Sequence, residues 1–338
     1  MGVQAIREER RLNLTLEERI RAAVARHPEW DDHRVANAIE GTRVAQIAEI
    51  RAAVQASASP SAPELARLQR KVGELEETLA LVARRERPYE VPAENGGNTL
   101  RFGVVADTQI GSLYQRIDAL RAFYTHCGRE GISVIFHAGD VLDGWRVYRG
   151  QEFELHPQGK SWEDQLAMFA ESVPRIDGIV THFITGNHDR SYKKLIGIHV
   201  GRALQKARPD WSFIGEDVGD IVLKANRGQE FKVRLVHPGG GTSYAISYRL
   251  QKFIEAIPGG EKPDLLVVGH YHKAEFLPDY RNVAGIQAGT FQSQTPFMAT
   301  QAIAAHVGGW VIEVALGDRK KLSSRIRAEF LAFYEAQK

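Results

Sequence analysis

From residue 99 onward, apolar positions fall into short runs separated by glycine turns and by stretches of helical spacing. The runs at 101–106, 132–137 and 179–184 read as buried strands, and the segments near 115–129, 161–175 and 190–207 read as helices. Further strands are expected at 219–225, 230–237, 264–269, 283–288 and 309–315. LGDRKK (316–321) then turns into a last strand near 323–332. Strands alternating with helices imply a parallel sheet with crossover helices, followed by a more antiparallel half.

The first 98 residues have another texture, rich in Ala, Arg, Glu and Leu and helical in period. Thr15 with Glu18 forms a capping-box pattern ahead of one helix. DDHRVANAIEGTRVAQIAEIRAAV predicts two short helices around Gly41-Thr42, sharing an apolar face of Val35, Ala36, Ile39, Val44, Ile47 and Ile50. This spacing resembles a helix-turn-helix unit, whose second helix would present Thr42, Arg43, Gln46 and Arg51 to DNA. A helical hairpin with a solvated charged face fits the same pattern. ASASPSAP (56–63) is a small-residue linker. Leu65, Leu68, Val72, Leu75, Leu79 and Val82 follow at alternating steps of three and four, a seam that would pair a homodimer through 65–82 or pack on the chain's own α/β domain, the dimer being favoured. Residues 84–98 read as an extended connector broken by Pro88, Pro92 and Gly96-Gly97. The expected organisation is a helical region at 1–58, a short coiled-coil-like helix and connector at 59–98, and an α/β domain at 99–338.

Composition narrows the chemistry. The formal net charge of +2 gives no global attraction to nucleic acid, leaving only a local basic face. A single cysteine, Cys127, excludes a disulfide framework and a cysteine-based zinc site, and reads as a small helix residue. No apolar run reaches the ~18 residues of a membrane span. The charged N-terminus lacks the apolar core of a signal peptide, so a cytoplasmic protein is expected.

Five strand ends carry groups able to bind metal: Asp107-Thr108-Gln109, then Asp140 and Asp143 in HAGDVLDG, then Asn187, His188 and Asp189 in TGNHDR, then His237, then His270 and His272 in GHYH. Each follows an apolar run, so each belongs at the carboxyl edge of a sheet, where open α/β folds place their sites. Carboxylates and imidazoles crowded together repel unless cations join them. The donor mixture suits Mn, Fe, Zn, Co or Ni better than Ca. A metal pair ~3.5–4 Å apart activates water and neutralises a phosphoryl group in transfer.

In this order and spacing, the five motifs resemble those of the calcineurin-like metallophosphoesterase superfamily over residues 101–272. VVADTQIGS, HAGDVLDG and GNHD are most similar to its DNA-repair nuclease branch. The resemblance implies a four-layer α-β-β-α sandwich and two divalent ions. Asp107, Gln109, Asp140 and His272 would hold the first ion. Asp140, Asn187, His237 and His270 would hold the second, with Asp140 as the bridge. It implies His188 as the general acid and Asp143 as the group that orients it. An imidazole suits that task because its ordinary pKa lies near neutrality.

Gln109 departs from the family, which usually has histidine there. A carboxamide oxygen is a harder, weaker donor than an imidazole nitrogen, which leaves four outcomes: a loosely held first ion with Mn favoured over Zn, one tight and one exchangeable ion, water in place of Gln109, or loss of activity. An active enzyme that needs added Mn is expected. Arg146, Arg190 and backbone amides near Gly240 are candidates to hold phosphate oxygens. Tyr244, Tyr248 and Arg249 follow Gly240 on a predicted helix. His137 falls in the strand leading to Asp140 and reads as a support to the site. The expected substrate is a phosphodiester, DNA first. The alternatives are a phosphomonoesterase and a DNA-binding protein with a weakened metal site.

Overall fold

The structure is a computed structural model. It describes residues 14–58, 89–92, 99–224, 229–241, 245–316 and 325–334. The helical elements are α1 (Leu16–Arg26), α2 (Asp32–Ala38), α3 (Val44–Ala58), α4 (Ile117–Arg129), α5 (Trp162–Ser172), α6 (Arg190–Ile196), α7 (Val200–Ala207), α8 (Tyr248–Ala256) and α9 (Pro296–Thr300). The strands are β1 (Tyr89–Pro92), β2 (Thr99–Val105), β3 (Val134–Ala138), β4 (Val180–Thr185), β5 (Trp211–Glu216), β6 (Val218–Lys224), β7 (Glu230–Val236), β8 (Leu265–Val268), β9 (Ala274–Tyr280), β10 (Val283–Ala288), β11 (Gly308–Ala315) and β12 (Arg325–Ala332).

Period-two alternation divides these strands between two cores. In β2, Leu100, Phe102 and Val104 point into a cluster shared with Ile221, Val233, Leu265 and Ile286. Val105 points the other way, towards Phe123 and Tyr124 of α4, Phe169 of α5 and Leu204 of α7. The first cluster is the interface of two six-stranded sheets, ordered β12-β11-β2-β3-β4-β5 and β1-β6-β7-β8-β10-β9. A third cluster packs Leu250 and Ile254 of α8 on the outer face of the second sheet. The layers are therefore α-β-β-α, as expected. Strands β2 to β5 are parallel, β11 and β12 antiparallel, and the second sheet is mixed.

Several elements differ from the sequence reading. The segment 190–207 is two helices, because Gly197 takes φ 74° and its N–H caps Lys193 O, ending α6. β9 was not expected; it contains Pro278 and sits at the sheet edge, where a missing N–H is tolerated. β5 follows α7 closely and is only partly buried, so it lacks an apolar run. Within the stretch read as a connector, 89–92 adds strand β1 parallel to β6. The seam at 65–82 and the turn at 317–324 lie outside the described residues.

Helices α1 to α3 form a separate unit. The Thr15–Glu18 capping box is present, and Ile20, Val24, Val35, Ile39, Ile47 and Ile50 form its core. Arg51 is half-buried rather than presented to solvent as expected of a DNA-reading side chain. It folds back, Nε donating to Asp32 Oδ1 at 2.7 Å and Nη2 to Trp30 O at 2.6 Å. Thr42 is half-buried and its hydroxyl donates to Ile39 O. Arg43 is exposed and Gln46 half-buried.

Candidate metal centre

Five strands deliver the site at their carboxyl ends. β2, β3 and β4 of one sheet lead to Asp107, Asp140 and Asn187; β7 and β8 of the other lead to His237 and His270. All seven candidate ligands therefore lie along one rim of the sandwich. Bringing them together bends the backbone. Asp107, Gln109, Asp140, His270 and His272 all have positive φ, between 47° and 78°. Left-handed backbone costs a non-glycine residue about 1–3 kcal/mol, and such residues concentrate at functional sites. Two glycines make the approach possible. A Cβ on Gly186 would lie 2.2 Å from Asp140 Oδ1, and one on Gly139 would lie 2.5 Å from His237 Nδ1.

Asp140 is at the centre. Its Oδ2 lies 3.0 Å from His237 Nε2 and 3.3 Å from Gln109 Nε2, and its Oδ1 accepts the His188 backbone N–H at 2.8 Å. Ligating atoms of Asp140, His237 and His270 all lie within 4.8 Å of one another. Asn187 Oδ1 is 3.2 Å from His237 Nε2. On the other side, Asp107 Oδ1 lies 3.2 Å from His272 Nε2, and Asp107 Oδ2 accepts the His270 N–H at 2.9 Å. The seven side chains thus form two lobes that meet at Asp140.

The donor set has the chemistry of a cation site. His237 Nδ1 donates to Ala138 O at 2.7 Å, so its Nε2 faces only acceptors, Asp140 Oδ2 and Asn187 Oδ1. Burial drives the His237 pKa down, but Asp140 outweighs it and raises it to about 10. The proton on Nε2 stands where positive charge is needed. Burial conversely pushes Asp140 up, yet the charges of His237 and His188 hold it well below the usual carboxylate range. His270 donates from Nε2 to Gly240 O at 2.7 Å, which leaves Nδ1 as a lone-pair donor. Gln109 Oε1 and His272 Nδ1 are buried without a hydrogen-bond partner, and Asp107 Oδ1 has only the 3.2 Å ion-pair contact with His272 Nε2. Buried polar atoms rarely go unpaired, and unmet hydrogen-bonding capacity on these candidate ligands fits a site completed by divalent ions.

His188 adjoins this cluster. Its Nδ1 donates to Asp143 O at 2.7 Å and lies 3.8 Å from Asp143 Oδ1, while Nε2 is 3.9 Å from Asp140 Oδ2. Burial lowers the imidazole pKa, but Asp140 and Asp143 prevail and raise it above the ordinary value. Burial takes Asp143 up to about 7 against the pull of His188. Gln151 and Gln292 donate to the Asp143 carboxylate, and neither was evident in the sequence.

Asp189, grouped in the sequence with the metal-binding residues, does another job. Its carboxylate accepts the N–H groups of Val141, Leu142 and Gly186 at 2.9–3.1 Å and ties two site loops together. His137 is buried behind the site, its Nε2 3.0 Å from Thr108 Oγ1, and burial holds its pKa down to about 3. The guanidinium of Arg190 is ion-paired with Asp217. Arg146 is exposed, and Gly240 is exposed with its carbonyl engaged by His270.

Residues 100–274, from β2 through the last candidate ligand, match the family model for calcineurin-like phosphoesterases. The chain belongs to the calcineurin-like phosphoesterase family. Members are hydrolases that use divalent metal ions, and all seven candidate ligands, with His188 and Asp143, fall inside the matched span. This phosphoesterase is also similar to the DNA polymerase II small subunit of two strains of Halobacterium salinarum. Each is 24% identical over 259 residues, covering 66% of this chain and 49% of the relative. The chain therefore spans about half the length of the curated relatives it matches. Among solved structures it is similar to GAP50, the anchor in the inner membrane complex of Plasmodium, at 11% identity and TM-score 0.41, covering 69% of this chain and 84% of that one. It is similar to a 5′-nucleotidase from Candida albicans at 12% identity and TM-score 0.36, covering 73% and 53%. Overlaps this low bear on no residue's role. Among the described residues, no helix is long and apolar enough to cross a membrane.

Proposed function

We propose that this phosphoesterase hydrolyses phosphodiester bonds, those of DNA first, with two divalent ions, Mn favoured. The observation that carries the reading is Asp140, whose Oδ2 lies 3.3 Å from Gln109 and 3.0 Å from His237, one from each lobe. Asp107, Gln109, Asp140 and His272 would hold one ion, and Asp140, Asn187, His237 and His270 the other. When bound, the ions lower the pKa of water and neutralise phosphoryl charge. The chain's own residues do the rest. With Nδ1 fixed on Asp143 O, His188 holds its second proton at Nε2, the atom free to protonate a leaving oxygen. Asp143 favours that charged form and keeps the ring in place. Gly240 and exposed Arg146 are candidates to receive phosphate oxygens.

DNA is supported by the name of the Halobacterium relatives and by the helix-turn-helix spacing of α2 and α3, with exposed Arg43 at the turn. A panel with Mn tests the reading: linear DNA, bis-p-nitrophenyl phosphate and p-nitrophenyl phosphate. Turnover of DNA and the diester well above the monoester is expected. Turnover of the monoester alone would replace the reading with a phosphomonoesterase.

A further inference from the structure

Beside His188 stands an aromatic pair that hydrolysis itself does not require. Tyr148 meets the imidazole at a steep angle, ring centres 6.2 Å apart, and stacks on Phe297 at 4.4 Å with 22° between planes. The two rings come from distant segments, Tyr148 from the loop after β3 and Phe297 from the first turn of α9. Glu154, 7% exposed, holds them together. Its Oε2 accepts the Tyr148 hydroxyl at 2.7 Å, and its Oε1 accepts the Phe297 N–H at 2.8 Å. A buried carboxylate is costly unless its oxygens are engaged. Both oxygens here fix one ring against the other. Yet Phe297 remains 37% exposed. A flat ring held in register and left partly open to solvent is suited to receive another flat ring.

The direction follows from His188. A group that takes its proton from His188 leaves on the His188 side, so whatever that oxygen carries passes towards Tyr148 and Phe297. We propose that Tyr148 and Phe297 are a stacking platform for a nucleobase on the leaving side of the scissile phosphodiester. Glu154 is a positioning residue for that platform. This rests on the phosphodiester reading above and adds the chemistry of the leaving group. Every base has a stackable face, so the platform selects a base over no base and leaves sequence unread.

The test uses the full chain with Mn and three substrates: a deoxyadenosine dinucleotide and its two abasic analogues, each lacking one base. Removing the base on the leaving side is expected to lower kcat/KM about tenfold, within the range of one base–aromatic stack. Phe297→Ala should collapse that preference towards unity, and Phe297→Tyr, which keeps a ring, should retain it. Equal turnover of the dinucleotide and both abasic analogues by the unaltered protein would overturn the platform while leaving the phosphodiester reading intact. So would a Phe297→Ala loss of the same factor on all three, the outcome of a purely structural role. No dinucleotide turnover, with turnover of p-nitrophenyl phosphate, would overturn the phosphodiester reading and the platform with it.

Discussion

Gln109 shows how one side chain tunes the site. Its amide nitrogen donates to Asp140 while its oxygen is buried without a partner. Rotating the amide by a half-turn exchanges the two atoms and brings the oxygen beside Asp140, the arrangement a cation would favour. Gln109→His, which restores the usual family residue, should tighten the weaker ion by about tenfold in calorimetric titration with Mn. Affinity unchanged by Gln109→His would remove Gln109 from the ligand set. His188→Ala tests the division between binding and proton transfer. Ion binding should persist, and turnover should fall by about 10²-fold or more on alkyl diesters but less on p-nitrophenyl diesters, whose leaving group needs little protonation. A uniform loss across leaving groups would contradict a general-acid role. Cys127 gives a simpler check, since burial pushes its thiol up to about 12. The native protein should not react with a thiol reagent at neutral pH, and the denatured chain should.

At the scale of elements, strand-end chemistry was the most legible part of the sequence. Apolar runs marked β2, β3, β4, β7 and β8, and each ended on the polar group that the structure places at the rim. The residues that hold those groups in place were not legible. Gln151 and Gln292 come from segments with no periodicity, and Asp189 stood in the sequence only among groups able to bind metal, its bracing role appearing with its three N–H partners. Tyr148 and Phe297 lie far apart in sequence, so only the fold brings them together. A buried histidine on β4 predicts how this sandwich responds to acid. His182 is 5% exposed, and burial lowers its pKa from 6.5 to about 4. The unfolded chain takes up that proton near pH 6.5 while the folded one resists. Stability is therefore full above 6.5 and lost progressively down to about 4, by at most about 3 kcal/mol. Urea unfolding at pH 7.5 and 4.5 should show a smaller acid loss for His182→Leu than for the unaltered protein. Identical losses would contradict this assignment.

For the whole molecule, alternation predicted a parallel sheet followed by a more antiparallel half, and the family resemblance implied the four layers, but the second sheet's composition was not legible. β1 and β9 were hidden by prolines, and β5 by its partial burial. The helical unit was legible in its capping box and core, while its charged face was only partly so, because Arg51 turns inward onto Asp32. If the unit reads DNA, Arg43→Ala should weaken binding to duplex DNA and reduce the salt dependence by about one unit of slope. Binding and slope both unchanged would separate the unit from DNA.

Metal stoichiometry decides the central claim. In a Mn titration of metal-free protein followed by isothermal calorimetry, the full chain should bind two ions, and Asp140→Asn should lose both together. One ion per chain, or an Asp140→Asn variant that still binds two, would contradict a centre whose two lobes meet at a single carboxylate.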